Sequence, residues 1–329
     1  MDKIGAFLTA AGWGMAHRAP LAGDASARRY ERLSRGTDRA VLMISQPGGE
    51  IQRFLRLARW FHDHGLSAPQ ILADGAAQGL LLLEDLGDAL VSRLIVQNPP
   101  REAALYTEIT TFLLHLHQLP PPDSVALLDG PGLADLLRLV PEWYPCTSRT
   151  AAEDLTGEIA TLYAHLNTEP AVLSLRDFHA ENVLWLPERS GPARLGLLDF
   201  QDAVATHPAY DLVSALQDVR RAVPVTIESR QCDAYASARG IDPDRFGTIY
   251  ALLGVQRALR ILGVFARLCR AMGKPHYVTL MPRCWANIER NLAHPALQDL
   301  ARTTRAAFPA PTPELMQRIQ DQCGKDPMR

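Results

Sequence analysis

Residues 175–182 read LRDFHAEN, and residues 196–202 read GLLDFQD. Asp177 and Asn182 stand five residues apart, Asp199 follows seventeen residues after Asn182, and each lies beside aliphatic side chains. A solvated loop has no need of polar side chains at the mouths of buried strands, so the pattern implies that something charged is held there. The apolar runs 183–186 and 195–198 flank PERSGPAR, a turn-rich loop of eight residues. Symmetric antiparallel pairing sets 186 against 195 and 183 against 198. Asn182 then lies opposite Asp199, on strands roughly 5 Å apart. An amide oxygen and a carboxylate at that spacing are hard ligands suited to Mg²⁺, which also keeps phosphate and water ligands. Asp177, on the loop entering the first strand, is placed to accept a proton from a substrate hydroxyl. Any one of the three could instead be a turn former or strand cap, but the set with this spacing points to chemistry.

The remaining sequence divides by character. Residues 2–12 read as a short amphipathic helix. Short strands follow around HRAPLAG, RRYERL and AVLMIS, and GEIQRFLRLARWFHDHG has helical apolar spacing that ends on Gly65. APQILAD and GLLLLEDLG read as a strand pair joined by a turn. From Asp88 onward the chain reads as helical, with NVLWL and RLGLLDF as its only strand-like runs and a proline-rich break near 308–313.

Bulk properties narrow the function classes. With 329 residues and 47% hydrophobic content, the chain can build a large core or two lobes. A net charge of −2 implies no general attraction to nucleic acid or membrane. The five cysteines form no CxxC, and no run reaches the ~18 apolar residues of a membrane span. The expected setting is cytoplasmic, with reduced thiols and a monomer or weak dimer. No Gly-Lys pair is followed by Ser or Thr, so there is no Walker A loop, and the HDH and HLH histidines point to different helix faces, away from a zinc site.

The frame LRDFHAEN with LLDFQD resembles the protein-kinase pattern, in which an Asp base, an Asn and a second Asp serve catalysis and magnesium. No activation segment or A-P-E is present, and HPAYDLVSAL (207–216) follows almost at once. Together with GDASARRY (23–30), LLLLEDLG (80–87) and GLLDFQDA (196–203), the chain resembles the aminoglycoside phosphotransferase superfamily over about residues 20–290. Within it, the wording of the motif flanks is closest to the bacterial anomeric kinases of N-acetylmuramate and N-acetylglucosamine.

The resemblance implies an α+β, two-lobed, protein-kinase-like fold. Residues 1–87 would form a small β-rich nucleotide-binding lobe, and residues 88–329 a large helical lobe carrying the catalytic hairpin and acceptor site. It implies ATP and Mg²⁺ as cofactors and a small-molecule acceptor, the anomeric hydroxyl of an amino sugar in cell-wall recycling. Asp177 would be the base, Asn182 and Asp199 the metal ligands, and Asp211 a buried carboxylate bracing the catalytic loop. Glu84 to Leu86 would be the connector that meets adenine. Gly23 and Ser26 would lie in a flap over the phosphates, where small residues let the backbone approach closely. His179, Gln201 and Asp202 flank the motifs and could bond the sugar.

Two positions depart from the pattern. Leu175 stands where protein kinases have His, and Met43 stands where a strand lysine would grip the phosphates. All but three of the 34 Lys and Arg residues are Arg, and the lysines are Lys3, Lys274 and Lys325. Arg28 or Arg29 is the expected replacement, because a guanidinium can grip phosphate bidentately. Residues 251–290 carry seven basic side chains against one acid, Glu289, an expected attraction for a sugar acid and a repulsion for polycations. Kinases of aminoglycosides, choline or another sugar, and a decayed pseudokinase, are the alternatives.

Overall fold

A computed structural model describes residues 3–21 and 28–326. The N-terminal elements are α1 (Lys3–Ala10), β1 (His17–Leu21), β2 (Arg29–Arg35), β3 (Asp38–Ile44), α2 (Gly49–Asp63), β4 (Ile71–Gly75) and β5 (Leu80–Glu84). Next come α3 (Val91–Gln97), α4 (Glu102–Leu116), α5 (Gly130–Asp135), α6 (Leu139–Trp143), α7 (Arg149–Leu166), β6 (Val172–Ser174), β7 (Val183–Trp185), β8 (Leu195–Leu197) and β9 (Val204–Thr206). The chain ends with α8 (Ala209–Leu216), α9 (Val225–Arg239), α10 (Pro243–Arg270), α11 (Met281–Leu292), α12 (Gln298–Ala307) and α13 (Pro313–Asp321). These elements fall into two compact units, Met1–His115 with Leu175–Ala203, and Leu116–Ser174 with Val204–Arg329.

The first unit is built on a five-stranded antiparallel sheet of order β1-β2-β3-β5-β4. Interior strand β5 is LLLLE with its four leucines buried, as expected of a strand covered on both faces. Leu8 of α1 and Trp13 pack on Leu33, Ala40, Leu42, Leu80 and Leu82 to form one core cluster. The β4–β5 turn closes on Gly79 at φ +76°, where a Cβ would come within 2.1 Å of the Ser45 carbonyl oxygen, so only glycine fits. Helix α2 buries Ile51, Phe54, Leu55, Ala58 and Phe61, a stripe at helical spacing.

The second unit is helical around α10, whose N-cap Asp242 accepts from the Arg245 N–H. By length and composition α10 could cross a membrane, but 83% of its most apolar stretch is buried inside the protein, as in a core helix. Two three-residue strands that the sequence reading omitted, β6 and β9, pair antiparallel in this unit. Strands this short carry too little pattern to stand out against flanking helices.

The hairpin β7–β8 forms, with a register one residue away from symmetric. Val183 faces Leu197 and Trp185 faces Leu195. A 3₁₀ turn at Gly191–Arg194 tightens the loop, and the Leu186 N–H bonds the Arg194 carbonyl. Leu198 N–H bonds the Asn182 carbonyl, so Leu198, and not Asp199, stands opposite Asn182.

Candidate active site

The loop between β6 and β7 is wound by successive short-range bonds. Asp177 N–H bonds the Leu175 carbonyl at 2.8 Å, His179 N–H the Asp177 carbonyl at 3.1 Å, and Asn182 N–H the His179 carbonyl at 2.8 Å. Phe178 pins the loop by stacking on Phe112 of α4, with ring centroids 5.5 Å apart. Asp177 is half-buried and His179 buried. The Asn182 Nδ2 donates to the Asp177 carbonyl at 2.8 Å and lies 3.4 Å from His179 Nε2. With its amide nitrogen directed into the loop, Asn182 has its Oδ1 as the atom left to serve a cation.

Asp199 follows directly after the hairpin with φ 55°, and Arg176 has φ 66°. These are the non-glycine residues with positive φ among the described residues, and both lie in this site, where stored backbone strain commonly collects. In a straight strand, the one-residue register difference would turn Asp199 to the face away from Asn182. The left-handed conformation at Asp199 ends the pleat, so contacts decide where the side chain goes.

Those contacts form a polar network around Arg28. Its Nη2 donates to Asp199 Oδ1 at 2.5 Å, its Nη1 donates to Gln201 Oε1 at 2.7 Å, and its Nε lies 3.1 Å from Glu50 Oε1. Gln201 Nε2 donates to the same Asp199 Oδ1 at 3.1 Å and to Asp202 Oδ2 at 3.2 Å. Arg53 reaches Asp202 Oδ1 at 3.1 Å and the Gln201 carbonyl at 3.2 Å. Phe200, fully buried, stacks on Phe54 at 4.8 Å and meets Phe61 edge-on at 5.1 Å. Asp199 is thereby held by Oδ1 alone, its side chain 41% exposed, and Oδ2 makes no hydrogen bond among the described residues. Burial opposes the charge on Arg28, but Tyr30, Asp199 and Glu50 hold its pKa above the ordinary guanidinium value. Burial pushes the Tyr30 phenol up to about 12.

The other expected residues fall as follows. Gly23 and Ser26 lie outside the described residues. Arg29 is exposed, whereas Arg28 is 7% exposed, so the structure separates two arginines that the sequence left equivalent. Met43 is fully buried on β3. The Glu84 N–H is spent on the Gln70 carbonyl, and its carboxylate bonds the Gln70 N–H and, at 2.5 Å, Arg189. Arg32 fastens the rest of the connector through Asp85 at 2.7 Å and Asp88 at 2.8 Å. Leu86 lies over the hairpin at Gly196, where a Cβ would come within 3.2 Å of the Leu86 side chain. Asp211, in the second unit, is fully buried and accepts from the Ser174 hydroxyl at 2.7 Å. Gln201 is 2% exposed and committed to three charged partners, and Asp202 to Arg53.

Three of the seven basic side chains in 251–290 are already committed within the protein. Arg257 is buried over the Tyr210 ring, Arg270 pairs with Asp326, and Arg290 with Glu228. Glu50, Arg53 and Tyr30 were not anticipated from sequence. Glu50 had a signal in the sequence, as an acid in the first turn of the helix after β3.

Residues 17–246 match the profile of the family described as the phosphotransferase enzyme family. The chain belongs to this family. It is 38% identical to the N-acetylmuramate/N-acetylglucosamine kinase of Caulobacter vibrioides, over 90% of this chain and 93% of the relative. The Pseudomonas aeruginosa protein of the same description is 30% identical, over 88% of this chain and 89% of that one. Among solved structures, a choline/ethanolamine kinase family protein from Mesorhizobium loti matches with TM-score 0.64 at 15% identity, covering 92% of this chain and 98% of that one. The aminoglycoside phosphotransferase APH(3'')-Id of Streptomyces rimosus, solved with ADP and streptomycin, matches with TM-score 0.54 at 18% identity, covering 79% of this chain and 99% of that one. At such identities these likenesses establish the fold, which is the protein-kinase-like α+β class. As a member of the family, the protein is a phosphotransferase.

Proposed function

We propose that this phosphotransferase is an ATP- and Mg²⁺-dependent kinase of the anomeric hydroxyl of an amino sugar, N-acetylmuramate or N-acetylglucosamine. The acceptor class is supported chiefly by the 38% identity, over nine-tenths of both chains, to a relative described as a kinase of those two sugars. In this reading the protein works in the cytoplasm, in the recycling of cell-wall sugars, as a monomer or weak dimer. Residues 1–87 serve the nucleotide and residues 88–329 the acceptor.

The donor set suits magnesium. Among the described residues no three His, Cys, Asp or Glu side chains converge on a metal cage. Asn182 Oδ1 and Asp199 Oδ2 are instead two hard oxygens of the kind that share an ion with phosphate oxygens and water. When bound with the nucleotide, the ion neutralises charge on the phosphates. Asp177 accepts the proton of the acceptor hydroxyl, and the anomeric hydroxyl is the most acidic of a sugar's hydroxyls, which suits a carboxylate base. Arg28 supplies positive charge toward the phosphates, and the Leu86 main chain meets adenine. Asp211 braces the loop through Ser174. His179 orients Asn182, and the contacts of Gln201 and Asp202 favour a supporting role over sugar binding.

The test is turnover with ATP and Mg²⁺ across N-acetylmuramate, N-acetylglucosamine, kanamycin and choline, with the product's phosphorylated position read by ³¹P NMR. The reading expects a sugar 1-phosphate. Turnover of kanamycin or choline alone would overturn it.

A further inference from the structure

We infer that the phosphate-side cation expected on β3, where Met43 stands, is supplied by Arg28 at the entry to β2 and is held in place by its ion pair with Glu50. The inference rests on the phosphotransferase reading and deepens it. Residues directly opposite in an antiparallel pair share a face, and so do residues two apart along a strand. Tyr30 on β2 faces Met43 on β3, and Arg28, the residue just before β2, interacts through its side chain with Tyr30. Position 43 is fully buried and carries no charge, whereas Arg28 brings a guanidinium beside Tyr30, the residue opposite it.

Glu50 lies in the first turn of α2, 3.1 Å from the Arg28 Nε, and so ties the helix to that cation. The other edge of the guanidinium bonds Asp199 Oδ1 and Gln201 Oε1. A lysine offers a point charge on a flexible stem, whereas the planar fork of arginine can bind the helix acid on one edge and the metal-side carboxylate on the other. Arg28 thus couples the helix acid, the metal-side carboxylate and the nucleotide through one side chain. Arg29, the next residue, is exposed and alternates to the other face, which excludes it from this role.

The experiment compares wild type with Arg28→Met, Arg28→Lys and Arg28→Met/Met43→Lys. MgADP affinity is measured by calorimetry without acceptor, with kcat, KM for MgATP and thermal melting alongside. Arg28→Met is expected to lower kcat/KM for MgATP by about 100-fold, on the scale of removing one preorganised donor, and to weaken MgADP binding. Arg28→Lys, which keeps the charge, should lose much less. Lysine returned at position 43 should recover about a tenth or more of the activity, as restored charge stabilisation would. Unchanged MgADP affinity in Arg28→Met would overturn the inference. So would failure of the double variant to recover activity while it melts like wild type. A wild type that binds MgADP but transfers phosphate to no amino sugar would refute the acceptor assignment alone, because the calorimetric comparison still stands.

Discussion

Replacing Gln201 by leucine separates the two roles open to this residue. Leucine nearly conserves volume at a position 2% exposed, so packing is retained while three hydrogen bonds are lost. Asp199 Oδ1 keeps Arg28 but loses the amide donor at 3.1 Å, and Arg28 Nη1 loses the Gln201 acceptor at 2.7 Å. A hydrogen bond to a charged group is worth about 1.5–3 kcal/mol, and each 1.4 kcal/mol is about tenfold in an equilibrium. If the bond to Asp199 serves to aim Oδ2, metal affinity should weaken by about 10- to 100-fold, the usual effect of removing a partner that orients a ligand. The unpaired guanidinium edge should also cost about 1–3 kcal/mol of folding stability. The assay is Mn²⁺ binding by electron paramagnetic resonance with ADP present, the Mg²⁺ activation constant, and KM for each sugar. Weakened metal binding with unchanged sugar KM is expected. A raised sugar KM with unaltered metal binding would refute the reasoning and return Gln201 to the acceptor site.

Three further outcomes can be checked independently. Phe200→Ala removes a ring packed between Phe54 and Phe61 and should destabilise the protein by about 3–5 kcal/mol in urea unfolding; a loss near zero would mean the stack is not formed. Gly79→Ala forces a side chain onto the Ser45 carbonyl at positive φ and should cost about 1–3 kcal/mol, with a lower melting temperature as its sign. Burial first, and then the charge of Arg239, pushes His117 and His207 down to about 3, so both are neutral when folded. Unfolded imidazoles titrate near pH 6.5 and take up protons that the folded protein refuses. Stability should therefore fall as pH drops from about 6.5 toward 3, by at most about 1.4 kcal/mol per pH unit for each histidine. The loss between pH 7 and 5 should shrink in His207→Asn, and a protein more stable at pH 5 would contradict the assignment.

The five strands of the sheet and helix α2 were legible because period-2 and period-3.6 patterns there are long and bounded by glycine turns. The candidate catalytic residues Asp177, Asn182 and Asp199 were legible as a spacing. The register of their hairpin was not, because two apolar runs of equal length suggest symmetric pairing. The sequence does not announce that the 3₁₀ turn at Gly191–Arg194 shortens the loop by one residue. The positive φ at Asp199 was equally hidden, since it follows from contacts with residues as distant as Arg28, 171 positions away. The difference in burial between Arg28 and Arg29 also needed the fold, because sequence alone does not distinguish two adjacent arginines. The pairing of basic residues on α10 and α11 was hidden for a related reason: charge counted along a helix does not reveal that Asp326 and Glu228 partner Arg270 and Arg290.

The assignment of Asp177 as proton acceptor beside a metal held by Asn182 and Asp199 is tested most directly by one comparison. Wild type and Asp177→Asn are titrated with MgADP and then assayed for single-turnover transfer to N-acetylmuramate and N-acetylglucosamine. Equal nucleotide affinity with transfer slowed by about 10²- to 10⁴-fold is the result this account predicts. Transfer at the wild-type rate in Asp177→Asn, with nucleotide bound, would contradict it.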